Sequence, residues 1–394
     1  MKKIKGDYMM NRKKIHWLID WGVILIFLLL IWCSWIDHDL WGKITYIAPV
    51  IVFLALGILF LNHVSLIQCF KSRDKEFFLM CGGILLGGVN MILVKSGIGA
   101  IFTLADLLLI LYLANKVQFD FIQLGTVALS CLAIWFFWQF IDHSTYDAGD
   151  VVFNTNGLSM VIFSCFCVLV CYMIYLIISF FSIPQWTCYL LVLPFVYFLT
   201  VRVFSFNARG ILAAIFTWAV TYYILPKKKF TIVLVLGVSL LLPAAYVYLW
   251  KSGATDGVMI LGKRLASGRD RIWDQFFSVF IQHPITGIGS DFEHMIPDVY
   301  IKEIHHALLD LLFVHGVPVF CVVLYFLYQR TKDIITAHSG HITAVCLAAI
   351  YGMLAAGTFE NYYIVTPYNI LLFMVFLISH AFVQQKAAAS SADL

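Results

Sequence analysis

The chain has 394 residues, of which 62% are hydrophobic and only 12% charged, with a formal net charge of +4. The charged share is about half that of an ordinary globular domain, too little to cover a water-soluble surface, so the composition excludes a soluble enzyme or a nucleic-acid-binding module. The positive balance names no partner, because it comes mostly from basic residues at the ends of apolar segments.

The start, MKKIKGDYMMNRKKIHW, runs into an apolar stretch with no small-residue cleavage site, so no cleaved signal peptide is expected. Stretches long enough to cross hydrocarbon lie near 17–35, 44–62, 77–94, 98–115, 119–141 and 157–181, then near 183–204, 209–225, 230–250, 306–328, 342–358 and 366–383. Some are short. The expectation is an all-α integral membrane protein of about twelve transmembrane helices, nine within 1–250 and three within 306–386, followed by a small-residue tail at 387–394. Tight hairpins are expected at Lys95 and at Ser182-Ile183-Pro184. Cys33, Cys81, Cys131, Cys165, Cys167, Cys171, Cys188, Cys321 and Cys346 fall in apolar stretches, and Cys69 falls in a basic loop. None lies in the long loop, so disulfides are not expected. The Cys165, Cys167, Cys171 cluster has no histidine or carboxylate beside it and reads as packing rather than metal ligation.

With the N-terminus inside, the cytoplasmic segments hold Lys2, Lys3, Lys5, Arg12, Lys13, Lys14, Lys71, Arg73 and Lys75. They also hold Lys116, Lys227, Lys228, Lys229, Arg330, Lys332 and Lys386, making sixteen of the 26 basic residues. The short outer loops carry very few, as basic-residue bias requires. This topology places 251–305 outside as one long extracytoplasmic loop. Within it Trp273, Phe276, Phe277, Phe280 and Ile281 recur at helical spacing, opposite Asp274, Gln275, Ser278 and Gln282. They predict an amphipathic helix that stops before Pro284, lying either in the membrane interface or packed on the spans.

Three features at the outer boundary offer chemistry. Asn207-Ala208-Arg209-Gly210 opens the eighth span; an arginine there snorkels or meets an anion, and the glycine lets backbone or ligand approach. Ser267-Gly268-Arg269-Asp270-Arg271 opens the amphipathic helix. Arg269 shares the apolar face with Trp273, and a planar, permanently charged guanidinium near a helix N-terminus suits a pyrophosphate; the alternative is a surface network with Asp270 or Asp274. Arg271 faces elsewhere and reads as solvated. His305-His306 is expected in the first turn of the tenth span, where the positive helix end keeps an imidazole neutral and able to act as a general base. Zinc is disfavoured because adjacent helical positions diverge by about 100°, and a satisfied interfacial histidine is the plain alternative.

Together, Asn207-Ala208-Arg209-Gly210, then Gly268-Arg269 and Trp273 leading to His283-Pro284 with Gly287 and Gly289, then His305-His306 with Leu309-Asp310 and Gly316, resemble the O-antigen ligase and O-antigen polymerase superfamily. The likeness covers about residues 205–320 by motif and the rest by topology alone. It implies a GT-C-like, twelve-helix protein with a long loop between the ninth and tenth spans. His306 departs from the family, which carries Asn there; eleven residues back from Gly316 stands His305.

The resemblance implies a metal-free transfer of glycan from undecaprenyl pyrophosphate to a sugar hydroxyl, with no cofactor. His305 would be the base, and Arg209 and Arg269 would hold the pyrophosphate. Arg271, His306, Gly210, Arg202 and Glu360 complete the candidate substrate-binding set. Arg202 and Lys95 also read as snorkelling cations, and Glu360 with Asn361 as groups that orient His305 or a sugar. The implied setting is the bacterial cytoplasmic (inner) membrane, with the site on its extracytoplasmic face. The implied partners are the lipid-linked oligosaccharide, membrane lipid and proteins of polysaccharide export. A polymerase of surface polysaccharide is the leading expectation and a ligase of finished glycan the alternative. A transporter or flippase would show two related halves, which are not visible here. Asp106, inside the fourth apolar stretch, must be paired or face a cavity, and it has no functional reading.

Overall fold

The computed structural model describes residues 2–36, 38–94, 96–138, 155–181, 184–255, 257–260, 263–264, 268–292, 295–296, 303–337 and 340–392. The expectations for Lys95, for the Ser182-Ile183 turn and for Ser267 lie outside the described residues. Apolar chain that leaves water must satisfy its backbone internally, and here it does so by coiling into helices. In chain order these are α1 (Lys2–Ile36), α2 (His38–Ile44), α3 (Ala48–His63), α4 (Leu66–Ser72), α5 (Lys75–Leu93), α6 (Gly99–Leu113), α7 (Phe121–Trp138) and α8 (Thr155–Phe180). They continue with α9 (Gln185–Ser205), α10 (Arg209–Tyr223), α11 (Lys229–Lys251), α12 (Arg269–Phe280), α13 (Ala307–Ala337), α14 (His341–Ala356) and α15 (Tyr368–Ala392). The only described strands, Met259–Ile260 and Lys263–Arg264, form one short antiparallel pairing.

Each of the twelve apolar segments coincides with one of these helices, and the chain is a multi-pass membrane protein. Helix length, however, supports fewer full crossings than twelve. Seven helices among the described residues are long and apolar enough to span, and α3 with α4 makes an eighth if taken as one span bent by 69°. The apolar helices Gly99–Leu113, His341–Ala356 and Tyr368–Phe382 are shorter, as is the 15-residue α10. Fifteen residues rise only about 23 Å, against a hydrocarbon core of about 30 Å. Residues 387–392, read as a tail, continue α15.

The main core extends from Val23 on α1 to Ile378 on α15. Its most extensive helix pairing is α10 on α14, where small residues let the backbones approach. A Cβ added at Gly352 would stand 3.3 Å from the Ala214 carbonyl oxygen and 2.8 Å from the Phe163 ring.

A second core explains how the 251–305 loop is held. Ile272, Trp273, Phe276 and Phe280 of α12 are buried with Val247 of α11, Phe313 of α13 and Phe292. The rings of Phe276 and Phe313 stack at 5.9 Å. Of the two readings of the amphipathic helix, packing on the spans is the one observed. Lys251 ties the end of α11 to Asp274 at 2.6 Å.

Helix α13 is broken at Gly316, which has φ 79° and ψ 168°. The segment after α12 crosses this break and takes up the freed backbone groups. Ile288 N donates to Phe313 O at 2.7 Å, Gly289 N to Val314 O at 3.2 Å, and Val317 N to Pro284 O at 2.8 Å. The buried side chain of Asn90 donates to His315 O at 2.9 Å. The crossing is too close for side chains: a Cβ at Gly316 would lie 2.1 Å from Ile285 O, and one at Gly287 would lie 2.5 Å from Val314 O. The His283-Pro284, Gly287, Gly289 and Gly316 elements are therefore one backbone joint.

Candidate functional site

The joint fixes where the short first half of α13 begins, and the candidate site forms at that end. The helix starts at Ala307, which corrects the expectation that His305 and His306 sit in its first turn. His306 is instead the residue before the helix and caps it. Its Nδ1 accepts from Leu309 N at 3.1 Å, as a capping side chain does. Since Nδ1 accepts, the proton is on Nε2, which donates to the Ser239 carbonyl at 2.9 Å. The ring is fully buried, and its backbone N donates to Asn361 Oδ1 at 3.0 Å. Both ring nitrogens of His306, expected to meet substrate, are engaged within the protein.

His305 stands one residue further out in a left-handed conformation, φ 52°, which few non-glycine residues adopt. The segment leading to it is pinned by Trp273 Nε1, which donates to Ile304 O at 2.8 Å. The ring of His305 is therefore turned away from the His306 pocket toward the loop between α14 and α15. There Nδ1 meets Glu360 Oε2 at 2.9 Å, and the more exposed Glu303 carboxylate lies 3.5 Å away. A carboxylate only accepts, so Nδ1 carries the proton and Nε2 keeps its lone pair in the neutral ring. His305 lies outside the helix, which begins at Ala307. Its geometry is set by Glu360.

Glu360 is 5% exposed and uses its second oxygen on Arg269, whose Nη2 donates to Oε1 at 2.7 Å. Arg269 opens α12, after Gly268 at φ 92°. The sequence offered Asp270 and Asp274 as its partners, but they are otherwise engaged. Asp270 is buried and accepts from Gly268 N at 3.1 Å, while Asp274 pairs with Lys251. One buried carboxylate thus joins the base candidate to the clamp candidate.

Gly210 supplies the room for this loop. A Cβ there would lie 2.7 Å from Phe359 Cβ, so the start of α10, with the half-buried Arg209, abuts the residue before Glu360. Gly210 thus has a packing role whatever else it touches. Arg202 donates to Trp138 O at 3.0 Å and lies over the Trp138 and Phe206 rings, the contacts of a packed cation. Arg271 is exposed. The sequence missed Asn90, Glu303 and Phe359. A polar residue in the apolar run of α5 was the one available signal, for Asn90. Neither a family model nor a curated protein matches this chain.

Proposed function

We propose that this protein is a glycosyltransferase that takes glycan from a polyprenyl-pyrophosphate carrier and joins it to a sugar hydroxyl, as a polymerase of bacterial surface polysaccharide. The observation that carries the reading is Glu360 bridging Arg269 and His305. It unites a fixed cation and an oriented imidazole at one end of a multi-pass protein, where a lipid-anchored diphosphate and a water-borne sugar would meet. The reading includes twelve membrane passages, with the short helices completing the set, and an extracytoplasmic location for this end of the molecule.

In this scheme Glu360 holds the Nδ1–H tautomer, and His305 Nε2 accepts the proton of the attacking hydroxyl as its oxygen bonds to the anomeric carbon. The carboxylate then stabilises the imidazolium, the logic of a base oriented by an acid. The sugar–phosphate bond breaks with its electron pair going to the pyrophosphate. Arg269 exchanges part of its contact with Glu360 for that diphosphate, and Arg209 adds charge from the start of α10. The leaving group is a stable anion and needs no proton.

The test is purified protein with synthetic undecaprenyl-pyrophosphate-linked repeat units, products being resolved on a gel. A ladder of regular spacing is expected, and it is expected to persist in EDTA. Transfer only to an added lipid acceptor, without a ladder, would move the assignment to a ligase. No glycan transfer at all would overturn it.

A further inference from the structure

Asp310 and His315 take no part in the Glu360 cluster, yet both line a second cavity of about 200 Å³ on the same short half of α13. Its other walls include Thr103 near the start of α6, Ser290 and Phe292 after the joint, and Val365 on the loop that carries Glu360. The Asp310 carboxylate has no hydrogen-bond or ionic partner among the described residues. The His315 ring, 3% exposed, makes no side-chain hydrogen bond among them either, and its Nδ1 is buried and unmatched. Buried polar groups are costly when unpaired. One such group beside a half-buried carboxylate that lacks a partner among the described residues points to a ligand for this cavity.

The chemistry of the walls narrows the ligand. A carboxylate at the surface of the cavity disfavours an anion or a purely apolar guest. Among the described residues no third His, Cys, Asp or Glu gathers with this pair to make a metal-ligating group. A neutral polyol fits: its hydroxyls donate to Asp310, its oxygens and hydroxyls pair with imidazole and with Thr103 or Ser290, and the Phe292 ring offers an apolar face. The volume suits one ring. A cavity of about 150 Å³ is enough for benzene, so 200 Å³ admits a single pyranose. Position agrees as well. Asp310 follows His305 by five residues and Val365 follows Glu360 by five, so both segments that carry the proposed site also wall the cavity.

We infer that the cavity bounded by Asp310, His315, Ser290 and Phe292 is a subsite for the terminal neutral sugar of the acceptor glycan, which it presents to His305. The assignment to the acceptor rests on the proposed function; the sugar site itself does not.

Two variants test it. Asp310→Asn keeps the shape and removes the charge. Gly99→Leu adds a side chain at a residue that lines the cavity, where a Cβ meets nothing within 4 Å, and its melting curve is compared with that of the unaltered protein. Saturation-transfer NMR on the full chain in lipid nanodiscs is read with free hexoses, 6-deoxyhexoses and N-acetylhexosamines, each alone. At least one neutral sugar is expected to receive saturation from the unaltered protein and to lose it in both variants. No transfer to any of them, or transfer unchanged in both variants, overturns the site. In the lipid-linked transfer assay Asp310→Asn is expected to raise the KM for acceptor by about tenfold or more, the loss of a hydrogen bond to a charged group, with the KM for donor unchanged. Ladders formed equally well by Asp310→Asn would sink the acceptor subsite while leaving the transferase reading intact. Sugar binding without any product would do the reverse.

Discussion

Glu360 accepts from two partners at once, which a neutral amide cannot do with comparable strength, so Glu360→Gln should damage both arms of the site. Activity is expected to fall by about 10²–10⁴-fold, the usual worth of a positioned base, with the protein still folded by its detergent melting curve. His305→Ala should abolish transfer. A Glu360→Gln protein working within a few-fold of normal would remove the carboxylate from the mechanism. His306→Asn is the informative contrast. Asparagine is a good helix cap and its Oδ1 can accept from Leu309 N, but it leaves the Ser239 carbonyl without the imidazole donor. Stability should drop by about 1–3 kcal/mol while glycan transfer survives. Inactive but normally stable His306→Asn protein would mean that the two histidines have exchanged roles. The motif positions of Arg269, His305 and Glu360 were legible as polar residues at the outer ends of apolar segments. Their convergence was not. The two bonds to Glu360 span 91 and 55 residues, a separation that no helical period can encode.

At the scale of elements, the joint between the α12–α13 segment and broken α13 is the part most exposed to a single change. Any Cβ at Gly316 must displace Ile285 O, which would lie 2.1 Å away, and the residue's φ of 79° is strained for other residues. Gly316→Ala is therefore expected to cost several times the roughly 1 kcal/mol of an ordinary helix substitution, visible as a lower melting temperature and loss of expression. Asn90→Leu keeps the backbone but leaves His315 O unpaired, about 1–3 kcal/mol. An unaltered melting temperature in both would mean that the crossing does not hold the two halves together. The sequence placed helices well here, since apolar length and turn residues mark them. It misjudged the start of α13. Nothing local distinguishes a histidine in a first turn from one just before it, and the difference is made by Asn361, 55 residues from His306. The fate of α12 was also undecidable from its own residues: an amphipathic face is equally served by lipid and by Phe313.

For the whole molecule the decisive question is which end faces which compartment. Basic residues at the chain's loop ends argue that Lys75 and Arg330 lie inside and that Arg271 lies outside. In the structure Arg330 pairs with Glu76 on the first turn of α5, so Arg330 and the start of α5, both assigned inside, lie at the same end. Arg271, on the exposed side of α12, stands beside the Glu360 cluster but carries none of its contacts, which makes it a suitable reporter. Single cysteines at Arg271 and at Lys75 can be introduced into a background lacking the ten native cysteines, all of which are free among the described residues. A membrane-impermeant maleimide applied to intact cells is expected to label Arg271→Cys, and to label Lys75→Cys only after the membrane is opened. The reverse pattern would place Arg269, His305 and Glu360 on the cytoplasmic side, where a carrier-linked glycan awaiting polymerisation is not presented. Equal labelling of both would mean that the α12 region lies across a membrane-exposed passage. The experiment therefore bears on the chemistry as directly as on the topology: the same Arg271→Cys protein, once labelled, should still make polysaccharide, because the exposed face of α12 is not the face that meets Glu360.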